Sequence, residues 1–283
     1  MYEYGVAGGD IRQKYLAEYL AQAGYSVFCY GVESDTCART DNIEELTGNV
    51  RNLVLPVPIT KDGKNLHAVN VYKKTRMEDM IKSIPPCTTV FAGSVNKCIR
   101  KMFMDRGIKI YDYLEDKYVL YMNSAATAEG TIAEMICHSK TMLEGKRVLV
   151  LGYGNCARPI VARLIGMGAK VTACVRNVRK QNEIQCKGIR CINFQYMSNE
   201  IGKYEYIVNT VPAMVIDRNL LLEVDKNTLI IDIASAPGGV DIKEAGRQGI
   251  NCVHSLGIPG RYCPAAMAKA YSEYILRVSA KHV

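Results

Sequence analysis

The run RVLVLGYGNCA, Arg147 to Ala157, constrains the fold more than any other part of the chain. Val148–Leu151 is unbroken apolar sequence, as a parallel strand covered on both faces requires. The pattern G-x-G-x-x-A follows at Gly152, Gly154 and Ala157. Gly152 allows a tight turn, Gly154 lets a pyrophosphate approach bare backbone, and Ala157 permits close helix–strand packing. Asn155 and Cys156 lie between them, where the N–H groups of a helix start face an anion. A strand, a glycine turn and a helix in this order predict a dinucleotide site that opens a βαβ unit.

A second strand is predicted at Lys170–Val175. An NAD site usually ends this strand in Asp or Glu, which holds the ribose hydroxyls. Here the position is Arg176, followed by Asn177 and Arg179, and no carboxylate occurs before Glu183. A guanidinium suits a 2′-phosphate, so NADP is the expected cofactor. The alternative is that these cations are a solvated helix start.

Strand and helix patterns alternate along the rest of the chain. Tyr2–Ala7 reads as a strand, Gly8-Gly9-Asp10 as a turn, Ile11–Ala23 as an amphipathic helix and Ser26–Tyr30 as the next strand. The 283 residues suit about two domains at ~100–200 residues each. The expected class is α/β, with two Rossmann-like, doubly wound parallel-sheet domains joined by a long helix and a cleft between them. The expected boundaries are 1–121, a linking helix at 122–144, and a nucleotide domain at 145–264. The last helix, 265–283, completes the first domain. Residues 58–74 read as a loop or a hairpin. Asn123-Ser124 is expected to cap the linking helix.

Net charge is +8 without a basic tract, which argues against a nucleic-acid partner. No apolar run reaches the ~20 residues of a membrane span. The eleven cysteines form no CxxC pair, so free thiols in a reducing compartment are expected and no metal site is assigned. MYEYGVAGGD lacks the features of a signal peptide, and a cytoplasmic protein is expected.

Three further turns follow predicted strands, where ligands of open α/β sheets bind. They are Asn209-Thr210-Val211-Pro212, the turn holding Asp232, Ala234 and Ser235, and the turn Gly257 to Arg261 with Pro259. All but Arg261 are assigned to the cofactor. Taken with Gly8-Gly9-Asp10-Ile11-Arg12-Gln13, Asn123-Ser124, Glu129-Gly130-Thr131-Ile132 and Pro237-Gly238-Gly239, these segments resemble the family of dipicolinate synthase A subunits from sporulating bacteria. The resemblance extends over nearly the whole chain. It implies NADP-dependent oxidation of a dihydrodipicolinate-type ring to pyridine-2,6-dicarboxylate. It also implies partnership with a flavoprotein-like B subunit, and action in the mother-cell cytoplasm; a homo-oligomer stays open. Ala236, Ala126 and Pro264-Ala265-Ala266-Met267 depart from the family pattern and bear on substrate contacts.

Such a substrate carries two carboxylates and needs cations and N–H donors around a flat ring. Gly8, Gly9, Asp10 and Arg12 form one candidate set. Asn123, Ser124 and Thr127, at the expected helix start, form another, and Arg261 is a further cation. The proton acceptor is assigned to Glu129 or His254. A hydroxylated tetrahydro ring is the alternative substrate. The rival readings are another two-domain NADP-dependent dehydrogenase of a small acid, and a nucleotide-binding subunit without turnover.

Overall fold

The computed structural model describes residues 1–71 and 74–280. The chain divides into two compact units, Met1–Met122 with Cys263–Val283, and Asn123–Tyr262. Among the described residues, no helix is long and apolar enough to cross a membrane.

The first unit opens with β1 (Tyr2–Ala7), α1 (Ile11–Gln22), β2 (Val27–Tyr30) and β3 (Ala38–Thr40). It continues with α2 (Ile43–Gly48), β4 (Val50–Val54), α3 (Met77–Ser83), β5 (Thr89–Ala92), α4 (Lys97–Met104) and β6 (Ile110–Asp112). The strands form one parallel sheet of order β3-β2-β1-β4-β5-β6. Phe28, Leu53 and Val90 of the sheet bury against Leu46 of α2, Met80 of α3 and Phe103 of α4. The short edge strand β3 was not expected, because Ala38-Arg39-Thr40 has no buried side chain to give it an apolar signature.

Helix α5 (Lys117–Ser139) crosses from the first unit into the second. It starts well before the expected cap at Asn123-Ser124. Asp116 takes the capping role, and its Oδ1 accepts from the Tyr118 and Val119 amides at 3.0 and 3.1 Å. The helix stops at Ser139, because Lys140 turns to a left-handed φ of 56°. The expected helical extent to residue 144 is therefore too long by most of a loop.

The second unit contains β7 (Arg147–Leu151), α6 (Ala157–Gly166), β8 (Lys170–Val175), α7 (Val178–Gln185), β9 (Arg190–Asn193) and β10 (Tyr206–Asn209). Then come α8 (Arg218–Leu221), β11 (Leu229–Asp232), α9 (Ile242–Arg247), β12 (Asn251–His254) and α10 (Ile258–Tyr262). Its sheet is also parallel, with order β12-β11-β10-β7-β8-β9. Strand alternation gives the sheet two apolar faces. Val148 and Val150 pack with Ile160 and Leu164 of α6, while Leu149 and Leu151 pack with Ile207 and Leu221 on the other face. Both sheets thus show the doubly wound order expected of a Rossmann-like fold, in which the chain reverses direction beside the first strand.

The last helix, α11 (Pro264–Ser279), belongs to the first unit. Its Tyr271 ring stacks on Tyr113 at 4.9 Å, and Tyr274 meets Phe91 edge-on. Residues 281–283 of the expected final helix lie outside the described residues.

Candidate nucleotide site

In the second unit the glycine turn has the geometry its sequence implies. Gly152 adopts φ +94°, and a Cβ there would lie 2.6 Å from Thr210 Oγ1. Its amide donates to Cys174 O at 2.8 Å, while Thr210 Oγ1 donates to Leu151 O at 2.7 Å. Thr210 therefore packs the turn instead of reaching outward. A Cβ on Gly154 would meet nothing within 4 Å, so bare backbone faces open space. Ala157 is fully buried where α6 begins. Asn155 is exposed beside it. The residues fit a pyrophosphate on the first-turn N–H groups of α6.

The Cys156 thiol lies against Thr127 and Ser124 of α5. Burial pushes its thiol pKa up, and hydrogen bonding with Thr127 and Ser124 opposes the shift. Ser124 and Thr127 are buried inside α5, and Thr127 Oγ1 donates to Asn123 O at 2.7 Å. Asn123, Ser124 and Thr127 thus offer no helix-start N–H groups to an anion, because that backbone is already helical on both sides. What the structure brings together is Ser124, Thr127 and Cys156, beside the glycine turn.

Arg176, expected at the adenosine end, is exposed just after β8. Among the described residues Arg176 enters no ion pair. Glu183, the first carboxylate after it, is held by Arg158 at 3.2 Å and Lys187 at 2.9 Å. A cavity of about 530 Å³ opens beside Arg176, lined by Phe194, Met197, Met214 and Leu220, with Asp217 and Glu223 also on its wall. Asn177 caps α7, its Oδ1 accepting from Lys180 N at 3.2 Å, and Arg179 is exposed on the first turn.

Two expected cofactor contacts are structural instead. Asn209 and Asp232 are fully buried, and Asn209 Nδ2 donates to Asp232 Oδ1 at 2.8 Å. Asn209 Oδ1 accepts from Val211 N at 3.0 Å. Asp232 accepts from Ala234 N at 3.1 Å and from Gly239 N at 3.0 Å. The pair therefore ties the two turns together from beneath, leaving Pro212 and Ser235 exposed above. Gly239 must stay bare, since a Cβ there would collide with Asn209 Nδ2. Gly257 is exposed at φ +66° before α10, while Pro259 and Ala234 are buried.

Arg261 is also committed. Its Nη2 donates to Glu134 Oε1 at 2.7 Å and contacts Ser255 Oγ, which itself donates to Glu134 Oε1 at 2.7 Å. Burial pushes the Glu134 carboxyl up, but the hydrogen bonds from Ser255, Arg261 and Tyr262 outweigh it and hold the group below the ordinary range. Sequence reading passed over Glu134; its only signal was an acid set among Ile132, Met135 and Ile136. The two candidate proton acceptors are not joined. Glu129 is an exposed partner of Arg163 at 3.0 Å, well inside α5 and not near its start. His254 is exposed as the last residue of β12, with Nε2 3.4 Å from Ala234 O.

The expected anion turn of the first unit is filled. Gly8 N donates to Tyr30 O at 2.8 Å, and Gly9 N donates to His67 O at 2.6 Å. The Gly8 amide is spent on β2, and residues 57–69 fold back over the turn and take the Gly9 amide. Asp10 caps α1 and receives Arg12 Nε at 2.8 Å and Nη2 at 2.7 Å. Arg12 is buried and also donates to Val57 O and Tyr271 Oη. It braces the unit; it is neither a free cation for substrate nor a surface residue.

Residues 3–114 match the family model described as the N-terminal domain of the dipicolinate synthase A subunit. The A subunit of dipicolinate synthase from Bacillus subtilis (strain 168) is 26% identical over 282 residues, covering 98% of this chain and 95% of that one. The crystal structure of the A subunit of dipicolinate synthase from Bacillus halodurans superposes with a TM-score of 0.85 at 24% identity, covering 98% and 97% of the two chains. Transhydrogenase from Sinorhizobium meliloti shares the fold at a TM-score of 0.69 and 14% identity, covering 99% and 94%. Residues 3–114 are therefore similar to the N-terminal domain of dipicolinate synthase A subunits, and over nearly its whole length the chain is similar to such an A subunit.

Proposed function

We propose that this chain is the NADP-dependent oxidoreductase component of a dipicolinate synthase, working with a B subunit in the mother-cell cytoplasm during sporulation. The observation that carries the cofactor choice is Arg176, exposed and, among the described residues, without an ion pair where the ribose is expected. A 2′-phosphate would give it a bidentate, charge-assisted partner. NADP, when bound, accepts the hydride lost as a dihydrodipicolinate-type ring becomes aromatic. The chain's own part is to bind and orient. Gly154 and the start of α6 hold the pyrophosphate, Arg176 selects the phosphorylated ribose, and the Asn209–Asp232 pair fixes the turns after β10 and β11. Aromaticity of the product supplies driving force, so orientation and water exclusion are the main demands on the protein. Of the two candidate proton acceptors, His254 suits the role better, because Glu129 is spent on Arg163.

The test is conversion of enzymatically generated 4-hydroxytetrahydrodipicolinate to dipicolinate, with NADP⁺ or NAD⁺ and with or without the B subunit. Faster product formation with NADP⁺ is expected. NADPH binding without product under every condition would instead favour a nucleotide-binding subunit that does not turn over.

A further inference from the structure

Among the described residues, three buried nitrogens of the first unit lack a hydrogen-bond partner: Gln13 Nε2, His67 Nδ1 and His67 Nε2. They belong to neighbouring side chains. Gln13 lies so close against Gly9 that a Cβ on that glycine would collide with its Cγ. The His67 carbonyl is bound to the Gly9 amide, and its ring lies within electrostatic reach of Asp10 and Arg12. The Pro58 backbone lies beside the ring, but not in the geometry of a formed hydrogen bond. Gln13 is 3% exposed and His67 8%. Native proteins rarely leave such groups unpaired, since each orphan gives up its bonds to water. Replacing them with apolar residues of like shape would relieve that cost, so keeping them calls for a partner that arrives from outside.

We infer that Gln13 and His67 form a carboxylate-recognition site at the carboxyl end of β1, binding one carboxylate of a ring dicarboxylate. The inference rests on the dipicolinate synthase reading for its choice of ligand. The donors suit an anion despite the nearby Asp10, because Arg12 already neutralises that carboxylate through two bonds. Burial is the main influence holding the His67 pKa down, so the ring stays neutral and keeps one N–H to donate. The Asp10 side chain, 26% exposed, marks where the cluster meets solvent. The site also supplies what the spent amides of Gly8 and Gly9 do not.

The test uses the full chain, with pyridine-2,6-dicarboxylate as the calorimetric probe. Gln13→Met and His67→Phe remove the orphan donors with little change in volume. Each should weaken dicarboxylate binding ~10-fold or more, while the melting temperature holds or rises and NADPH affinity is unchanged. His67→Gln, which keeps a donor, should recover part of the binding. It also keeps the test decisive if His67→Phe does not fold. Binding within about twofold of wild type in the variants would overturn the inference and leave the proposed function standing. A fall in melting temperature with binding intact would also overturn it, by showing that an internal water satisfies the donors. Failure of the wild-type chain to bind the dicarboxylate overturns the inference as well, and the turnover assay with NADP⁺ then judges the proposed function on its own.

Discussion

Arg176 and Gly154 carry most of the nucleotide argument at the scale of single residues. Arg176→Ala should weaken NADPH binding ~10–100-fold and leave NADH binding nearly unchanged, read by titrating nucleotide fluorescence. Gly154→Val and Gly152→Val make a matched pair. At Gly154 the new side chain enters open space, so unfolding free energy should change by under about 1 kcal/mol while nucleotide binding is lost. At Gly152 the positive φ and Thr210 Oγ1 oppose any side chain, so stability itself should fall by more than about 1 kcal/mol in a denaturant titration. Residue roles were only half legible in the sequence. The glycines of the turn could be read because their chemistry is backbone geometry. Asn209 and Asp232 could be placed at strand ends, but a strand end does not say whether a polar side chain faces ligand or the turn beside it. Their complete burial decides that they bind each other and the loops.

Helix α5 shows how local signals compete at the scale of elements. Asn123-Ser124 is a good cap by composition, and Tyr118–Met122 reads equally well as a short apolar run. Asp116 won because capping about two turns earlier lets Val119 enter the core as helix. Asp116→Ala should cost about 0.5–2 kcal/mol, read by denaturant titration, and it also removes the partner of Arg277 on α11. The buried Glu134 gives a pH signature to the same helix. Its folded pKa lies below the unfolded value of about 4.3, so its contribution is present above that value and is lost as pH falls through the lower folded value. Thermal melts from about pH 6 down to about pH 3 should therefore show a shallower loss of stability in Glu134→Gln than in the wild-type chain.

The two sheets have the same strand order, yet their first turns do different work. Periodicity made both sheets legible apart from the edge strand β3, since the other strands are short apolar runs between turn residues. It could not distinguish the two glycine turns, because Gly8-Gly9-Asp10 and Gly152–Gly154 both promise free amides. In the first unit the segment 57–69, whose sequence has no clear period, covers the turn and takes the Gly9 amide, while Tyr30 of β2 takes that of Gly8. A chain ended at Tyr262 would uncover Tyr113 and Phe91 and strip Arg12 of Tyr271. It should lose the cooperative unfolding of the first unit while keeping NADPH binding, as measured by circular dichroism melts and nucleotide titration.

That first unit is also built from both ends of the chain, and synthesis proceeds from one end only. As the polypeptide leaves the ribosome, Asn123–Tyr262 is complete before α11 exists. The segment made first must therefore wait, with the apolar bed for Tyr271 and Met267 uncovered, while the segment made later is already able to fold. Stalled nascent chains should become protease-resistant over residues 123–262 first, so that the order of maturation runs against the order of the sequence. Helpers that shield nascent chains would find their longest-exposed surface here, in the part of the first unit that is made first.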